Sequence, residues 1–240
     1  MSPGIAAPRA RVDDVDWHAV ASDLDARGSA VITGLLAAAA CDALRDLYPD
    51  EAPFRSRIVM ARHGFGRGEY KYFAYPLPEP VAALRSALYP HLAPIANLWM
   101  SRLGLETTFP DTHAAFLERC HAAGQMRPTP LLLQYEAGDY NCLHQDLYGP
   151  TVFPLQVAIL LSQPARDFEG GEFVLVEQRP RMQSRAEVVA LSQGDAVVFA
   201  VSERPVAGAR GDYRVKMRHG VSRLRSGRRH TLGLIFHDAA

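Results

Sequence analysis

The sequence predicts a mainly β fold with a helical N-terminal part, an α+β chain whose helices pack outside an antiparallel β core. Two patterns predict it. From Pro128 onward short apolar runs recur with Gly, Pro or Asp turns between them: Leu131–Tyr135, Phe153–Leu161, Glu172–Val176, Glu187–Leu191, Ala196–Val201, Tyr213–Val221 and Thr231–Phe236. Regular short strands with turn signals make a sandwich or barrel. Before Pro128 the apolar residues fall instead at helical spacing. A length of 240 residues suffices for one large domain with a sizeable core.

Residues 1–12, rich in Pro, Ala and Arg, read as a disordered lead-in, and 13–240 as one domain. Within it, 13–127 form helical support and 128–240 the β core. A helix starts at Asp13 or Asp14, with Trp17, Val20, Ala21 and Leu24 on one face, and stops at Gly28, which suits a left-handed cap. Ala30–Ile32 then reads as a short strand, and Ala38–Tyr48 as a helix ending before Pro49. Residues 51–78 interleave Phe54, Phe65, Tyr70, Tyr72, Phe73 and Tyr75 with basic residues and glycines. They read either as an irregular connection tucking aromatics into the core or as a lid over a substrate pocket. Helical patterns follow at 80–89 and 94–103, separated by Pro90 and Pro94, and at 111–123 with an Asp cap.

Balanced charge, Lys+Arg 26 against Asp+Glu 26, argues against a globally basic nucleic-acid binder while leaving room for local patches. Cys41, Cys120 and Cys142 lack metal-type spacing, and an odd count fits reduced thiols. The first residues have no apolar core of a signal peptide, and Ala30–Cys41 is too short to span a bilayer. A soluble, cytoplasmic protein is expected.

The chemistry concentrates in PLLLQYEAGDYNCLHQDLYGPTVFPLQVAILLS, residues 130–162. His144 and Asp146 are two apart at a strand end and point the same way, because strand side chains alternate. Two ligands are not a site, and His219, at the end of a later strand pattern, is the best third. Two His and one carboxylate suit Fe(II) with open positions for substrate and O₂. Arg229 comes ten residues after His219, in Gly227-x-Arg229-x-Thr231-Leu232. Its planar fork suits a carboxylate better than Lys would. Arg228, on the opposite face, is assigned to the surface. Between the ligands lie Phe168-Glu-Gly-Gly-Glu172, a tight hairpin, and Gln193-Gly-Asp195, a turn in which Asp195 is a turn residue rather than a base. His230 and His237 read as packing or rim residues rather than ligands, because the triad is already full.

This order (His-x-Asp, Gly-Gly-Glu strand, Gly-Asp turn, distal His, Arg ten later) resembles the prolyl-hydroxylase-like branch of the Fe(II)/2-oxoglutarate-dependent oxygenases, over about residues 128–237. Tyr135-x-x-Gly138-x5-His144-Gln-Asp146 also resembles the alkylation-repair (AlkB-like) branch. The whole chain looks most like bacterial oxygenases described as acting oxidatively on alkylated, damaged DNA. The resemblance implies a double-stranded β-helix (jelly-roll or cupin-like) core, with Fe(II) on His144, Asp146 and His219. It implies 2-oxoglutarate on Arg229, touched by Tyr135, and O₂ as oxidant, with succinate and CO₂ released. Tyr140 and Asn141 are further candidates for the pocket lining. The chain departs from the repair enzymes at Leu133 and Ile235, where they carry an Asn and a second Arg.

Three functions remain in view: hydroxylation or oxidative demethylation, of alkylated nucleic acid or else of a peptide or small molecule; a non-catalytic metal or 2-oxoglutarate sensor; and a Zn(II) hydrolase, disfavoured because no further acid or base stands beside His144. The nucleic-acid reading rests on Arg204, Arg210, Arg214, Lys216, Arg218, Arg223, Arg225, Arg228 and Arg229, opposed only by Glu203 and Asp212. Arg179, Arg181 and Arg185 extend this segment. Such a stretch makes a phosphate-tracking rim beside the iron, with Phe65–Tyr75 aromatics to stack a base. The alternative is that these arginines are solvated or paired with the acidic N-terminal helices.

Overall fold

The computed structural model describes residues 8–240, with side chains from residue 11 onward. Five helices, α1 (Pro8–Asp13), α2 (Trp17–Arg27), α3 (Ala38–Arg45), α4 (Glu79–Arg102) and α5 (His113–Ala122), accompany fourteen strands. The strands are β1 (Ser29–Ile32), β2 (Phe54–Val59), β3 (Gly66–Arg67), β4 (Glu69–Phe73), β5 (Leu131–Glu136), β6 (Tyr140–His144) and β7 (Leu155–Leu160). Then come β8 (Phe168–Gly170), β9 (Phe173–Gln178), β10 (Arg185–Val189), β11 (Ala196–Ala200), β12 (Glu203–Gly208), β13 (Gly211–Val221) and β14 (Leu224–Leu234).

Two N-terminal expectations need correction. The disordered lead-in expected over residues 1–12 does not describe residues 8–12, because residues 8–13 are helical and Val12 is fully buried in the helix-side core. Residues 1–7 lie outside the described residues. The two helices expected at 80–89 and 94–103 are one helix, α4, with Pro90 and Pro94 inside it. A proline deprives the carbonyl four residues back of its partner. Here those carbonyls belong to Ser86 and Pro90, both on the exposed face, where water can replace the lost bonds. The opposite face carries Val81, Leu84, Leu88, Leu92, Ala96 and Trp99, all buried, so packing holds the helix straight through. Elsewhere the local signals act as read. Gly28 caps α2 at φ 79°, and Asp16 accepts the Ala19 N–H at 3.0 Å. The cap of α5 is Thr112 rather than Asp111.

All strand pairs in the two large sheets are antiparallel. The larger sheet runs β1-β11-β7-β14-β5-β4-β2, with β8 on β14; the smaller runs β10-β9-β13-β6-β3, with β12 on β13. Alternation divides the larger sheet into two faces. Leu132, Val157, Ile159, Val198, Leu232 and Leu234 join the helix-side core with Leu88, Tyr89, Trp99 and Phe116. Tyr135, Gln156, Ala158, Phe199, Arg229 and Thr231 face the other way, into a cavity. Phe173 and Leu175 of β9 and Val189 of β10 pack on Ala158, Val197 and Phe199, closing the sheets face to face. This is the double-stranded β-helix expected.

Residues 51–78 are not an irregular connection. β2 and β4 extend the larger sheet beyond β5, and β3 joins the smaller one. Of this stretch, Gly64 and half-exposed Phe65, in the turn between β2 and β3, and Tyr70 of β4 border the cavity. Among the described residues no helix is long and apolar enough to cross a membrane.

Candidate active site

His144, Asp146 and His219 meet. β13 pairs with β6 so that His219 sits directly opposite His144, and their ring centroids are 4.2 Å apart. Asp146 Oδ1 lies 3.5 Å from His144 Nε2, and Oδ2 lies 3.4 Å from His219 Nε2. Three donors on one ion, each bonded at about 2.1 Å and at right angles, stand about 3 Å apart. The triad is therefore close to closing on a single ion, and the donor set is the one that suits Fe(II). His144 Nδ1 donates to the Cys142 carbonyl at 2.8 Å, which leaves Nε2 free to ligate.

Charge is arranged to match. Burial raises the Asp146 pKa, but the hydrogen bond and charge of His219 outweigh it and leave the carboxyl below its usual range. Burial, with neighbouring His219, lowers that of His144 and favours the neutral imidazole a metal needs. The Tyr148 hydroxyl donates to Asp146 Oδ1 at 2.7 Å. Burial and the Asp146 charge keep that phenol protonated, so it remains a donor. Tyr148 escaped the sequence reading, although its position two residues beyond Asp146 is the signal that could have found it.

Arg229 lines the same cavity, which measures about 340 Å³. It is 2% exposed, its Nη1 donates to Thr231 Oγ1 at 2.6 Å, and its Nε has no partner. No carboxylate pairs with it among the described residues. Burial pulls its pKa down to about 10, so it stays cationic at neutral pH. The room for it comes from Gly171, at φ 63°, where a Cβ would stand 2.5 Å from Leu224 Cδ1 and 3.1 Å from Arg229 Cδ. Tyr135, the cross-strand partner of Arg229, is fully buried, with a hydroxyl that bonds nothing and a ring centred 5.7 Å from the guanidinium carbon. A buried cation and a buried phenol, both unsatisfied and facing one cavity, fit an acid with a free carboxylate.

Other expectations sort themselves by strand face. Arg228 is exposed and pairs with Glu136 at 2.6 Å. Asp195 is a turn residue: its carboxylate accepts the N–H groups of Gly34 and Ser192. His230 and His237 are buried packing residues, bonded to Gln134 and to the Phe153 N–H. Asn141 lines the cavity, whereas Tyr140 does not.

The basic segment is thinner than expected. Arg204 is fully buried against Glu177 and the Asp25 carbonyl, Arg229 belongs to the cavity, and Arg214 pairs with Glu203 at 3.0 Å. Arg179 and Arg185 also turn to Glu177. Left without a carboxylate partner among the described residues are Lys216 and Arg218, on the outward face of β13 beside the paired Arg214, with Arg210, Arg223 and Arg181 elsewhere on the surface. Of the alternative, solvation agrees with the exposure of this row, whereas pairing with the N-terminal acids does not describe it: Asp23 pairs with Arg27 and Asp25 with Arg102.

The chain is 16% identical to the solved structure of a Pseudomonas putida prolyl-4-hydroxylase, superposing with TM-score 0.56 over 93% of this chain and 100% of that one. It is 14% identical to a 2OG-Fe(II) oxygenase family oxidoreductase from Burkholderia pseudomallei, with TM-score 0.56 over 95% and 93%. At such identities the likeness is one of fold. An uncharacterised protein of Mycobacterium tuberculosis strain ATCC 25618 / H37Rv is 54% identical over 168 residues, 70% of this chain and 72% of that protein. The sequence profile of the Oxygenase-NA family, described as "Oxygenase, catalysing oxidative methylation of damaged DNA", matches residues 68–239. That match takes in both His-x-Asp and the distal His-Arg pair along with most of the sheet that carries them, and the chain belongs to the Oxygenase-NA family.

Proposed function

We propose that His144, Asp146 and His219 hold the Fe(II) of this oxygenase, that Arg229 with Tyr135 holds its 2-oxoglutarate, and that its substrate is an alkylated base in nucleic acid. One observation supports the site assignment above the others. The triad and an unpaired, buried guanidinium face the same cavity.

His144, Asp146 and His219 would hold Fe(II), which would supply the chemistry that splits O₂ between the keto acid, released as succinate and CO₂, and a substrate C–H bond, which becomes C–OH. The chain's own residues do the positioning. Arg229 and Thr231 fix the far carboxylate, and Tyr135 supplies a further donor beside it. Leu131, Leu133, Phe173 and Phe199 keep the cavity apolar, which strengthens these charge contacts. Hydroxylating an N-methyl group yields a hemiaminal that sheds formaldehyde, so the outcome of oxidation on a methylated base is loss of the methyl group.

The substrate reading draws on the family description and on the β13 row. Arg214, Lys216 and Arg218 point outward on the strand that delivers His219, and can follow a phosphate backbone. Phe65 and Tyr70 border the cavity, where an extruded base can stack. The three cysteines are free thiols, consistent with a reducing, cytoplasmic setting. The test offers methylated single-stranded DNA, peptides and small metabolites to the Fe(II)-loaded protein and measures succinate with each. Methylated DNA should raise succinate and release formaldehyde. Its binding should weaken with salt, and Arg218→Glu should lower the salt slope by about 1. Succinate stimulated only by a peptide or metabolite overturns the nucleic-acid reading and leaves the chemistry standing.

A further inference from the structure

Gln156 is a buried polar residue of the cavity, unpaired at its Oε1, that neither the iron nor the keto acid accounts for. It stands in the apolar run of β7, where Leu155, Val157 and Ile159 turn to the helix-side core and Gln156 and Ala158 turn into the cavity. Gln156 is 5% exposed, and its Oε1 is buried without any hydrogen-bond partner. An unpaired buried amide is costly, and a apolar residue of the same shape would be tolerated better there. Such a group calls for a ligand.

The ligand is not the keto acid. β14 runs beside β7 with Thr231 opposite Leu160 and Gly233 opposite Ala158. Arg229 therefore lies level with Ser162, about 20 Å along the strand from Gln156 at about 3.3 Å per residue. A five-carbon keto acid, with C–C bonds of about 1.5 Å, extends only about 5–6 Å. Phe199, the cross-strand partner of Gln156, packs its ring 4.6 Å from the His219 ring. Gln156 thus sits at the end of the cavity away from Arg229, the end left for the substrate. Apolar Leu131, Ala158, Gly233 and Phe199 share the cavity lining with it, together with the Tyr148 ring.

We infer that Gln156 is a specificity-determining residue. Its amide hydrogen-bonds the edge of a flat, largely apolar ligand that presents a donor and an acceptor side by side. This rests on the proposed function and narrows it. A carboxamide offers one acceptor and two donors in a plane, the match for the donor–acceptor edge of a nucleobase such as adenine or cytosine. Aliphatic and aromatic walls with one planar amide admit such a ring, and the neutral amide itself offers no charge to pair with a charged group.

The experiment compares wild type with Gln156→Leu and Gln156→Met, which keep the volume and remove the amide. Three quantities are measured: anaerobic binding of a methylated oligonucleotide to the metal-free protein, anaerobic binding of 2-oxoglutarate to the Fe(II) form, and thermal midpoint without ligands. Both variants should bind the oligonucleotide about 5–150-fold more weakly, the range for a two-point contact to a base edge. They should bind 2-oxoglutarate within twofold of wild type and melt about 2–4 °C higher or more, because an unpaired amide is gone. A purely structural role would not combine higher stability with weaker substrate binding. Unchanged oligonucleotide binding in both variants overturns the role of Gln156 while the proposed function stands; so does a parallel loss of 2-oxoglutarate binding. Wild type that neither binds nor oxidises any methylated oligonucleotide removes the proposed function, and this inference with it.

Discussion

Replacing Arg229 by Met should make the ligand-free protein more stable and, at the same time, unable to hold 2-oxoglutarate. The guanidinium is 2% exposed, has no ion-pair partner among the described residues, and leaves Nε unbonded. The fall of its pKa to about 10 corresponds to about 3 kcal/mol held against the charged form. Part of this is offset in the native protein by the Thr231 hydrogen bond, worth about 1 kcal/mol, and by the Tyr135 ring. The net gain from Met is then about 1–2 kcal/mol, or about 2–8 °C in melting temperature for a chain of this size. Against that, removing one partner of a buried charge pair costs about 2–5 kcal/mol in binding, roughly 30–5,000-fold. Wild type at a hundredfold excess of 2-oxoglutarate over Kd gains about 2.7 kcal/mol, and the variant gains nothing. The assay is thermal unfolding of the anaerobic Fe(II) protein with and without 2-oxoglutarate. The two melting curves should change order on adding the keto acid: the variant melts higher without it, wild type higher with it. Arg229→Lys should recover part of the binding, because a point charge replaces a two-point fork. Arg228→Met, on the exposed face beside Glu136, should change neither quantity. A variant that is less stable without ligand, or that still melts later with it, refutes the reasoning.

Tyr148→Phe removes the donor on Asp146 Oδ1 and should weaken Fe(II) binding about 10–100-fold, as loss of a group supporting a metal ligand typically does. Anaerobic metal titration reads this directly, and unchanged affinity would show that the carboxylate needs no such hold. The pH dependence of stability has a definite sign. Burial pulls His113, His230 and His237 down to about 4, whereas an unfolded chain titrates near 6.5. Between those values the unfolded chain carries protons that the folded chain refuses. Stability is therefore full above pH 6.5 and falls through the window toward pH 4, by about 1.4 kcal/mol per pH unit for each histidine. Urea midpoints measured from pH 8 to pH 4 should decline below 6.5, and a flat profile would contradict this account of the three rings.

The residues proposed to carry the chemistry are legible because their order is set by topology. His144, Asp146, His219 and Arg229 lie on strands whose pairing brings them together, and period-two alternation correctly separated Arg229 from Arg228. What the sequence hid depends on tertiary partners. Pro90 and Pro94 read as a break because propensity is local, yet the apolar face opposite them continues through both. β2 and β4 are obscured by their charged residues and the glycines between them, because β4 is recognised only once its distant partner β5 is known, and the edge strand β2 only once β4 is. Arg204 looked like surface charge, and only the fold shows Glu177 and the Asp25 carbonyl waiting for it. Tyr148 and Gln156 carried weak signals, a phenol two past a ligand and one amide in an apolar run. Neither signal means much until the cavity is seen.

Anaerobic titration of the apo-protein with Fe(II) and then 2-oxoglutarate, followed by the visible charge-transfer absorption that a keto acid bound to Fe(II) produces, tests the site most directly. Wild type should take up one equivalent of each and develop the band. His219→Ala should lose the metal and the band together, and Arg229→Ala should keep the metal and lose the band. Iron bound as tightly by His144→Ala and His219→Ala as by wild type, or a band that survives in Arg229→Ala, would contradict the assignment of the site.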